Sequence, residues 1–379
     1  MKKLQYKGES LNISNDVIGR CIRRLSSEGV LIYEGQQLID LENYTSIICR
    51  RDNFEALREQ VTEMAIFISE DDNIDLQDGD IVSISRNGHL RILYSPNSSD
   101  NVLFITETCN HKCIMCSQPP KKVNDLDAQF KINSQLVDLI PDDCEILGIT
   151  GGEPTLLGDR LFQLYEQIST KLPNTIIHTL TNGRAFNSTK FCDNFTKCMN
   201  GNLIFGIPLY SDYSAQHDYI VQSKNAFNQT IKGIYNLAAL HQKIEIRIVV
   251  SKLNHSRLIE LAHFIYKNLP FVDHVAFMGL EDIGNATINS ELIWIDPKEY
   301  IEDLNSALEY LFNFGINTSI YNIPLCLLPS SLWKHSAKSI SDWKTKYLDC
   351  CNSCKLVEDC CGVFGTSQKV SSNITPFIL

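Results

Sequence analysis

Between Asn101 and about Ala286, short apolar stretches alternate with amphipathic segments of helical length, and this alternation constrains the fold more than any other feature of the chain. The predicted strands are Val102–Thr106, Glu145–Thr150, Thr175–Thr181, Leu203–Leu209, Ile244–Val250 and Val275–Met278. Strands separated by helices pair in parallel, because the crossover returns each new strand to the same end of the sheet. Six such units predict an α/β protein built on a partial (β/α)6 barrel of TIM type. In barrels of this kind the chemistry gathers at the C-terminal strand ends. Cys109–Cys116, Gly151-Gly152-Glu153 and Asn182-Gly183 each follow a predicted strand and are expected to share one mouth.

The flanks read differently. Residues 1–98 predict a small β-rich N-terminal domain, a candidate peptide-docking module. Within it, Asp16–Gly29 has helical spacing and a glycine stop, while IVSIS and LRILY around Asn87-Gly88 form a hairpin pattern. Pro96–Asp100 lacks apolar periodicity and reads as the linker to the barrel region, 99–286. In the remaining region, 287–379, a helix over Pro297–Phe314 precedes an irregular cysteine-rich segment.

Fourteen cysteines are unusual for a chain of 379 residues, and eight of them fall in two tight groups, Cys109–Cys116 and Cys350–Cys361. No apolar run is long enough to span a membrane, and MKKLQYKGESLN lacks a signal-peptide hydrophobic region, so a cytoplasmic location is expected. In a reducing compartment, clustered thiols point to metal or redox chemistry rather than disulfides. The net charge of −11 is spread over many short stretches and argues against broad nucleic-acid binding, which needs a basic face.

Cys109, Cys113 and Cys116 are spaced CxxxCxxC. A structural zinc site closes with four ligands, and three cysteines leave it one short. A four-iron cubane held by three thiolates keeps one iron open, so here the missing ligand is useful. The spacing, placed after the first barrel strand, resembles the radical S-adenosylmethionine (SAM) superfamily. That resemblance implies a [4Fe-4S] cluster on the three cysteines, with SAM chelating the open iron. It also implies a reducing electron donor and cleavage of SAM to a 5′-deoxyadenosyl radical.

The supporting loops fit the same reading. Gly151-Gly152-Glu153 resembles the family's GGE motif, which contacts the methionine amino group; a glycine pair permits close backbone approach. Asn182 could meet the ribose hydroxyls or only make a turn with Gly183. Arg247 could pair with the methionine carboxylate, since a guanidinium fork suits it, or be structural. Met115 could pack on the adenine or into the core. His111 reads as a solvent-facing loop residue. His217-Asp218 is assigned no acid-base role, because helix capping explains it as well. No catalytic side chain is assigned.

In the second group, Cys351, Cys354 and Cys360 are spaced CxxCx5C, and Cys326 could supply a fourth thiolate by loop closure. Four thiolates complete a second [4Fe-4S] cluster. The group resembles a shortened auxiliary-cluster domain of peptide-modifying radical enzymes; a structural zinc is the alternative. Register is open, since Cys350 could replace Cys351 and Cys361 could replace Cys360. Cys21, Cys49, Cys144, Cys192 and Cys198 read as simple thiols.

A closer resemblance is to the HxsC maturase family of the His-Xaa-Ser system. It is carried by the run from Asn101 to Pro120, the Asp78-Gly-Asp80 hairpin, Asn322–Cys326 and the Cys354–Phe364 tail. It implies modification of a ribosomally made peptide or protein rich in His-Xaa-Ser repeats, with a sister radical SAM protein as partner. Two other classes are a radical SAM enzyme acting on a small molecule and a zinc-stabilised, non-enzymatic binding scaffold.

Overall fold

The computed structural model describes residues 3–23, 28–38, 41–71, 73–197 and 202–378. In the N-terminal part, β1 (Gln5–Leu11), β2 (Val17–Ile22), β3 (Gly29–Tyr33), β4 (Tyr44–Arg50), β5 (Ile66–Ser69), β6 (Ile81–Ser85) and β7 (His89–Tyr94) form a closed barrel. Their order around it is β1-β5-β4-β3-β2-β6-β7, and β7 pairs back to β1. Alternation along the strands sends one set of side chains inward, including Tyr6, Val30, Ile48 and Phe67. The other set, including Leu31, Ile47 and Ile68, packs with Leu57 of α1 (Arg51–Arg58). The expected hairpin is β6–β7, antiparallel around Gly88 at φ 73°. A Cβ there would lie 2.0 Å from the Gly8 carbonyl oxygen.

The expected helix over Asp16–Gly29 does not form where the chain is described. Val17–Ile22 is β2, antiparallel to β6 and parallel to β3. Local helical spacing loses here to pairing on both sides and to burial of Cys21 and Ile22. Residues 24–27 of that stretch lie outside the described residues.

The second part is an open, all-parallel sheet of eight strands. They are β8 (Val102–Phe104), β9 (Ile146–Thr150), β10 (Ile176–Leu180), β11 (Leu203–Pro208), β12 (Lys243–Val249), β13 (His274–Met278), β14 (Thr318–Tyr321) and β15 (Ser336–Ala337), adjacent in chain order. This corrects the expectation of six. The two additional strands come from beyond residue 286, and TSIY and Ser336-Ala337 are too short and polar to read as buried strands. β14 joins by register, Val275 against Thr318 through Met278 against Tyr321.

Helices α2 (Leu126–Leu139), α3 (Asp159–Lys171), α4 (Thr189–Cys192), α5 (Ser214–Val221), α6 (Ala226–Ala239), α7 (Leu258–Asn268), α8 (Asn285–Ile288), α9 (Ser290–Ile293) and α10 (Ile301–Asn313) fill the connections. Apolar residues of α2, α3, α6, α7 and α10 share one large core with one face of the sheet, including Ile149, Ile177, Phe205, Ile246 and Phe277. Rings interlock within it: Phe186 meets Phe205 at 5.2 Å and Phe162 meets Phe195 at 5.0 Å, centroid to centroid. On β10 and β12–β14 the opposite face carries His178, Glu245, Arg247, His274, Ser319 and Tyr321, all at alternate positions. A short antiparallel ribbon, β16 (Thr345–Lys346) with β17 (Val363–Phe364), brackets the second cysteine group.

The polypeptide outside the sheet packs against it. The Arg20 guanidinium donates to the carbonyl of Leu139 at the end of α2, and Ile18 packs on the main core. Among the described residues no helix is long and apolar enough to cross a membrane.

Candidate functional site

Directly after β8 the chain leaves regular structure and carries Cys109, Cys113 and Cys116 on one loop. Both ends of that loop are held. Asp125 accepts from the Thr106 hydroxyl at 2.6 Å and from the Glu107 amide at 2.8 Å, and the Lys121 amide closes back on the Glu107 carbonyl at 2.9 Å. Its middle is fixed by Lys112 and Ile114 amides donating to the carbonyls of Val221 and Ile220 at the end of α5. All three cysteines are half-buried free thiols.

Burial is the main reason these thiols resist ionisation, and the charges of neighbouring groups add to it. Cys109 is pushed up to about 11 by burial, then by Glu153 and Cys116. Burial raises Cys113 as well, reinforced by Cys116 and Cys109. Three thiols that oppose one another's ionisation form a donor set that a cationic cluster would relieve. Among the described residues no group of three or more His, Cys, Asp or Glu side chains forms a single-ion metal site. A cubane is anchored at separate irons, so its thiolates need not converge on one point.

The β9 loop lies against the cysteine loop. Gly152 donates to the Thr106 carbonyl at 2.7 Å and Glu153 to the Thr108 carbonyl at 2.9 Å. A Cβ on Gly152 would sit 2.0 Å from the Thr108 oxygen, and one on Gly151, at φ 137°, 2.7 Å from the Thr106 oxygen. Only a glycine pair allows this approach.

Glu153 is 1% exposed. Its carboxylate accepts from the Thr155 amide (3.0 Å), the Thr155 hydroxyl (2.6 Å), the Thr181 hydroxyl (2.6 Å) and the Asn182 amide (2.7 Å). The side chain thus brackets the β9 and β10 loops. Asn182, in turn, donates from Nδ2 to Asn110 Oδ1 at 2.6 Å, so the β10 loop also reaches the cysteine loop.

Two other sequence candidates are placed apart from this bracket. Met115 is buried with Ile114, Tyr210, Ile220 and Ile293. Arg247 pairs with Glu245 and lies 5.8 Å from the Tyr321 ring centroid. Glu245 also accepts from His274 at 3.0 Å and is held down to about 2, where hydrogen bonding and nearby positive charge outweigh burial. Burial works the other way, but His274, Arg247 and His178 together favour the carboxylate. Gly206 leaves the space: a Cβ there would be 3.0 Å from both Arg247 Cδ and His178 Nε2.

Several features were not read from the sequence. His111 is 3% exposed, not solvent-facing, and its Nε2 has no hydrogen-bond partner. Glu245 and Arg247 stand two apart on one strand face, a spacing that could have signalled their pairing. The grip of Asn285 on the carbonyls of Cys113 and Cys116 had no sequence signal. Asp218 accepts from the Phe227 amide at 2.8 Å, the capping role weighed for it.

Cys326, Cys351, Cys354 and Cys360 line one pocket, together with apolar Leu325 and Phe377. Cys350, which is exposed, and Cys361, which is buried, are not in its lining. Backbone amides approach the sulfurs: Phe377 N lies 3.5 Å from Cys354 Sγ, and Gly362 and Leu325 hydrogen-bond Cys360. Cys360 is lowered to about 6, first by the hydrogen bond from the Cys361 thiol and then by those amides, against the opposing effect of burial. Cys21, Cys49, Cys144 and Cys192 are buried and free; Cys198 lies outside the described residues.

The architecture therefore defines a class: a parallel α/β sheet with a three-cysteine loop and a glycine-pair loop meeting at its C-terminal edge. Residues 103–265, less than half of the chain, match the family model described as the Radical SAM superfamily. No curated protein matches the chain. Among solved structures, Streptococcus suis SuiB bound to S-adenosylmethionine aligns at 17% identity and TM-score 0.45, over 58% of this chain and 49% of that one. The chain thus spans about half the length of SuiB. The anSMEcpe protein with bound AdoMet and Kp18Cys peptide aligns at 16% identity and TM-score 0.44, over 58% and 62% of the two chains. A radical SAM methyltransferase from Sphaerobacter thermophilus aligns at 13% identity and TM-score 0.44, over 66% and 75%.

Proposed function

We propose that the protein is a radical SAM enzyme that modifies a ribosomally made peptide or protein of the His-Xaa-Ser type. The observation that carries the enzymatic reading is the placement of Cys109, Cys113 and Cys116 on one pinned loop of the stretch that matches the Radical SAM superfamily model, against the Gly151-Gly152 pair. When bound, a [4Fe-4S] cluster and SAM would supply reductive carbon–sulfur cleavage and a 5′-deoxyadenosyl radical for hydrogen abstraction.

The chain's own residues supply the rest. The three thiols would hold the cluster. Close backbone approach at Gly151 and Gly152 seats the β9 loop against the cysteine loop as the candidate contact for the methionine end of SAM, and Glu153 ties the β9 and β10 loops together. Asn182 and Arg247 are the candidate ribose and carboxylate contacts. Met115 and Tyr210 close the loop's underside with apolar surface, which excludes water.

Cys326, Cys351, Cys354 and Cys360 would hold an auxiliary [4Fe-4S] cluster; their common pocket and the amides directed at their sulfurs support this ligand set over one using Cys350 or Cys361. The His-Xaa-Ser assignment rests on the sequence resemblance, as do a sister radical SAM partner and a reducing donor; a cytoplasmic location rests on the absence of a long apolar run from the sequence and on its polar start. The closed N-terminal barrel is the candidate peptide-docking module.

Anaerobic reconstitution tests the first part: about eight irons per chain, and 5′-deoxyadenosine on reduction with SAM, are expected. Iron-free protein after reconstitution, or bound iron without SAM capture, refutes it. Co-expression with a His-Xaa-Ser-repeat peptide, followed by mass spectrometry, tests the substrate; an unchanged peptide mass refutes that assignment.

A further inference from the structure

Within nine residues, the loop that follows β13 touches the first cysteine loop and the two ends of the second cysteine segment. Its later half grips the first cysteine loop. The Asn285 amide donates to the Cys116 carbonyl at 2.9 Å, and its side chain donates to the Cys113 carbonyl at 3.0 Å. Asn289 Nδ2 donates to the Ile114 carbonyl at 3.0 Å. Gly284, at φ 65°, lets the chain pass close beneath, since a Cβ there would be 2.6 Å from the Ser117 oxygen and 2.9 Å from the Cys116 oxygen.

The earlier half of the loop grips the second cysteine segment at both of its ends. Glu281 Oε2 accepts from Lys344 Nζ at 2.9 Å, and Oε1 accepts from the Thr366 hydroxyl at 2.6 Å. Lys344 and Thr366 flank the ribbon that brackets Cys351, Cys354 and Cys360. Asp282 adds three contacts: its amide donates to Ser367 Oγ at 2.9 Å, its carbonyl accepts from the Gln368 amide at 3.1 Å, and Oδ2 accepts from the Lys369 amide at 3.0 Å. Inside the loop, Thr287 Oγ1 donates to the Asp282 carbonyl at 3.0 Å and joins the halves.

We infer that residues 281–289 are a positioning bridge through which the C-terminal cysteine segment sets the seat of the Cys109–Cys116 loop. The inference rests on the proposed cluster assignment and deepens it by naming Glu281 and Asn285 as positioning residues. The physical reason is that the carbonyls of Cys113 and Cys116 are held by a loop whose other half is hydrogen-bonded to the tail through Glu281 and Asp282. Glu281 is nearly buried, its side chain 11% exposed, so its pairing with Lys344 is little screened by water. Releasing the tail frees the loop, and the cysteine carbonyls lose fixed partners.

The test uses the full chain, reconstituted anaerobically, with the variants Thr366→Val, Thr366→Ser and Glu281→Gln. SAM affinity is read by equilibrium binding, and the reduced-cluster EPR spectrum is recorded with and without SAM. Iron content is expected to match wild type in all three. SAM affinity should fall about fivefold or more, the lower end of typical coupling between sites, in Thr366→Val and Glu281→Gln. Thr366→Ser, which keeps the hydroxyl, should restore both affinity and the SAM-dependent spectral change. Wild-type affinity and spectra in Thr366→Val and Glu281→Gln overturn the bridge while leaving the cluster assignment intact. Absence of a SAM-dependent spectrum in wild type itself refutes the cluster assignment instead.

Discussion

Replacing Glu153 with Gln separates a structural bracket from a ligand contact. The carboxylate accepts four hydrogen bonds in a fully buried position. An amide keeps one acceptor oxygen. With that oxygen toward Thr155 and Thr181, three bonds survive in neutral form and an N–H group faces the Asn182 N–H. Bonds to a charged acceptor contribute about 1.5–3 kcal/mol against about 0.5–1.5 for neutral ones, so the gross loss is about 5 kcal/mol. Removing a buried charge returns several kcal/mol of desolvation, leaving about 2–3 kcal/mol of local destabilisation. Hydrogen exchange on the apo-protein reads this directly: protection across the 153–155 and 181–183 segments should fall about 30- to 150-fold. SAM affinity of the reconstituted variant should fall with it, because the Asn182–Asn110 contact loses its anchor. Unchanged protection at both segments would falsify the bracket.

Cys113→Ala is expected to abolish reductive 5′-deoxyadenosine production, read by chromatography; retained production removes the proposed mechanism. Iron analysis tests the second ligand set, since Cys351→Ala should lose about four irons per chain and Cys350→Ala none. Equal loss in both returns the register to ambiguity. Glu245 supplies a pH dependence. Its carboxyl sits near 2 in the folded chain against an ordinary value of 4.5, so its contribution is present above about 4.5 and is lost as pH falls towards 2. That amounts to about 3 kcal/mol over this window, and denaturant unfolding of Glu245→Gln should lack that part of the acid sensitivity. Gly206→Ala should displace His178 and Arg247 at a cost of about 1–3 kcal/mol, measured by thermal unfolding; an unshifted midpoint contradicts the close packing seen there.

The strongly periodic parts of the chain were legible. Strands such as Ile176–Leu180 and Lys243–Val249 bury one face against helices, and that demand is written into alternate residues. The hairpin at Gly88 was legible because its turn requires a positive φ. Asp16–Gly29 misled because local spacing carries no record of the neighbouring strands that claim Val17–Ile22. Strands β14 and β15 escaped notice because strands this short gain their identity from pairing, not composition.

By itself the sequence determined the α/β class, the CxxxCxxC loop after a strand and the glycine pair behind it, since each depends on residue type at short range. Tertiary structure alone decided which of the doubled cysteines face a common pocket. It also gave Glu153 to its neighbouring loops, and it set Asn285 and Glu281 between two cysteine groups more than two hundred residues apart. The physical reason is distance along the chain: a hydrogen bond between remote segments depends on how sheets and loops pack, and no local pattern encodes it.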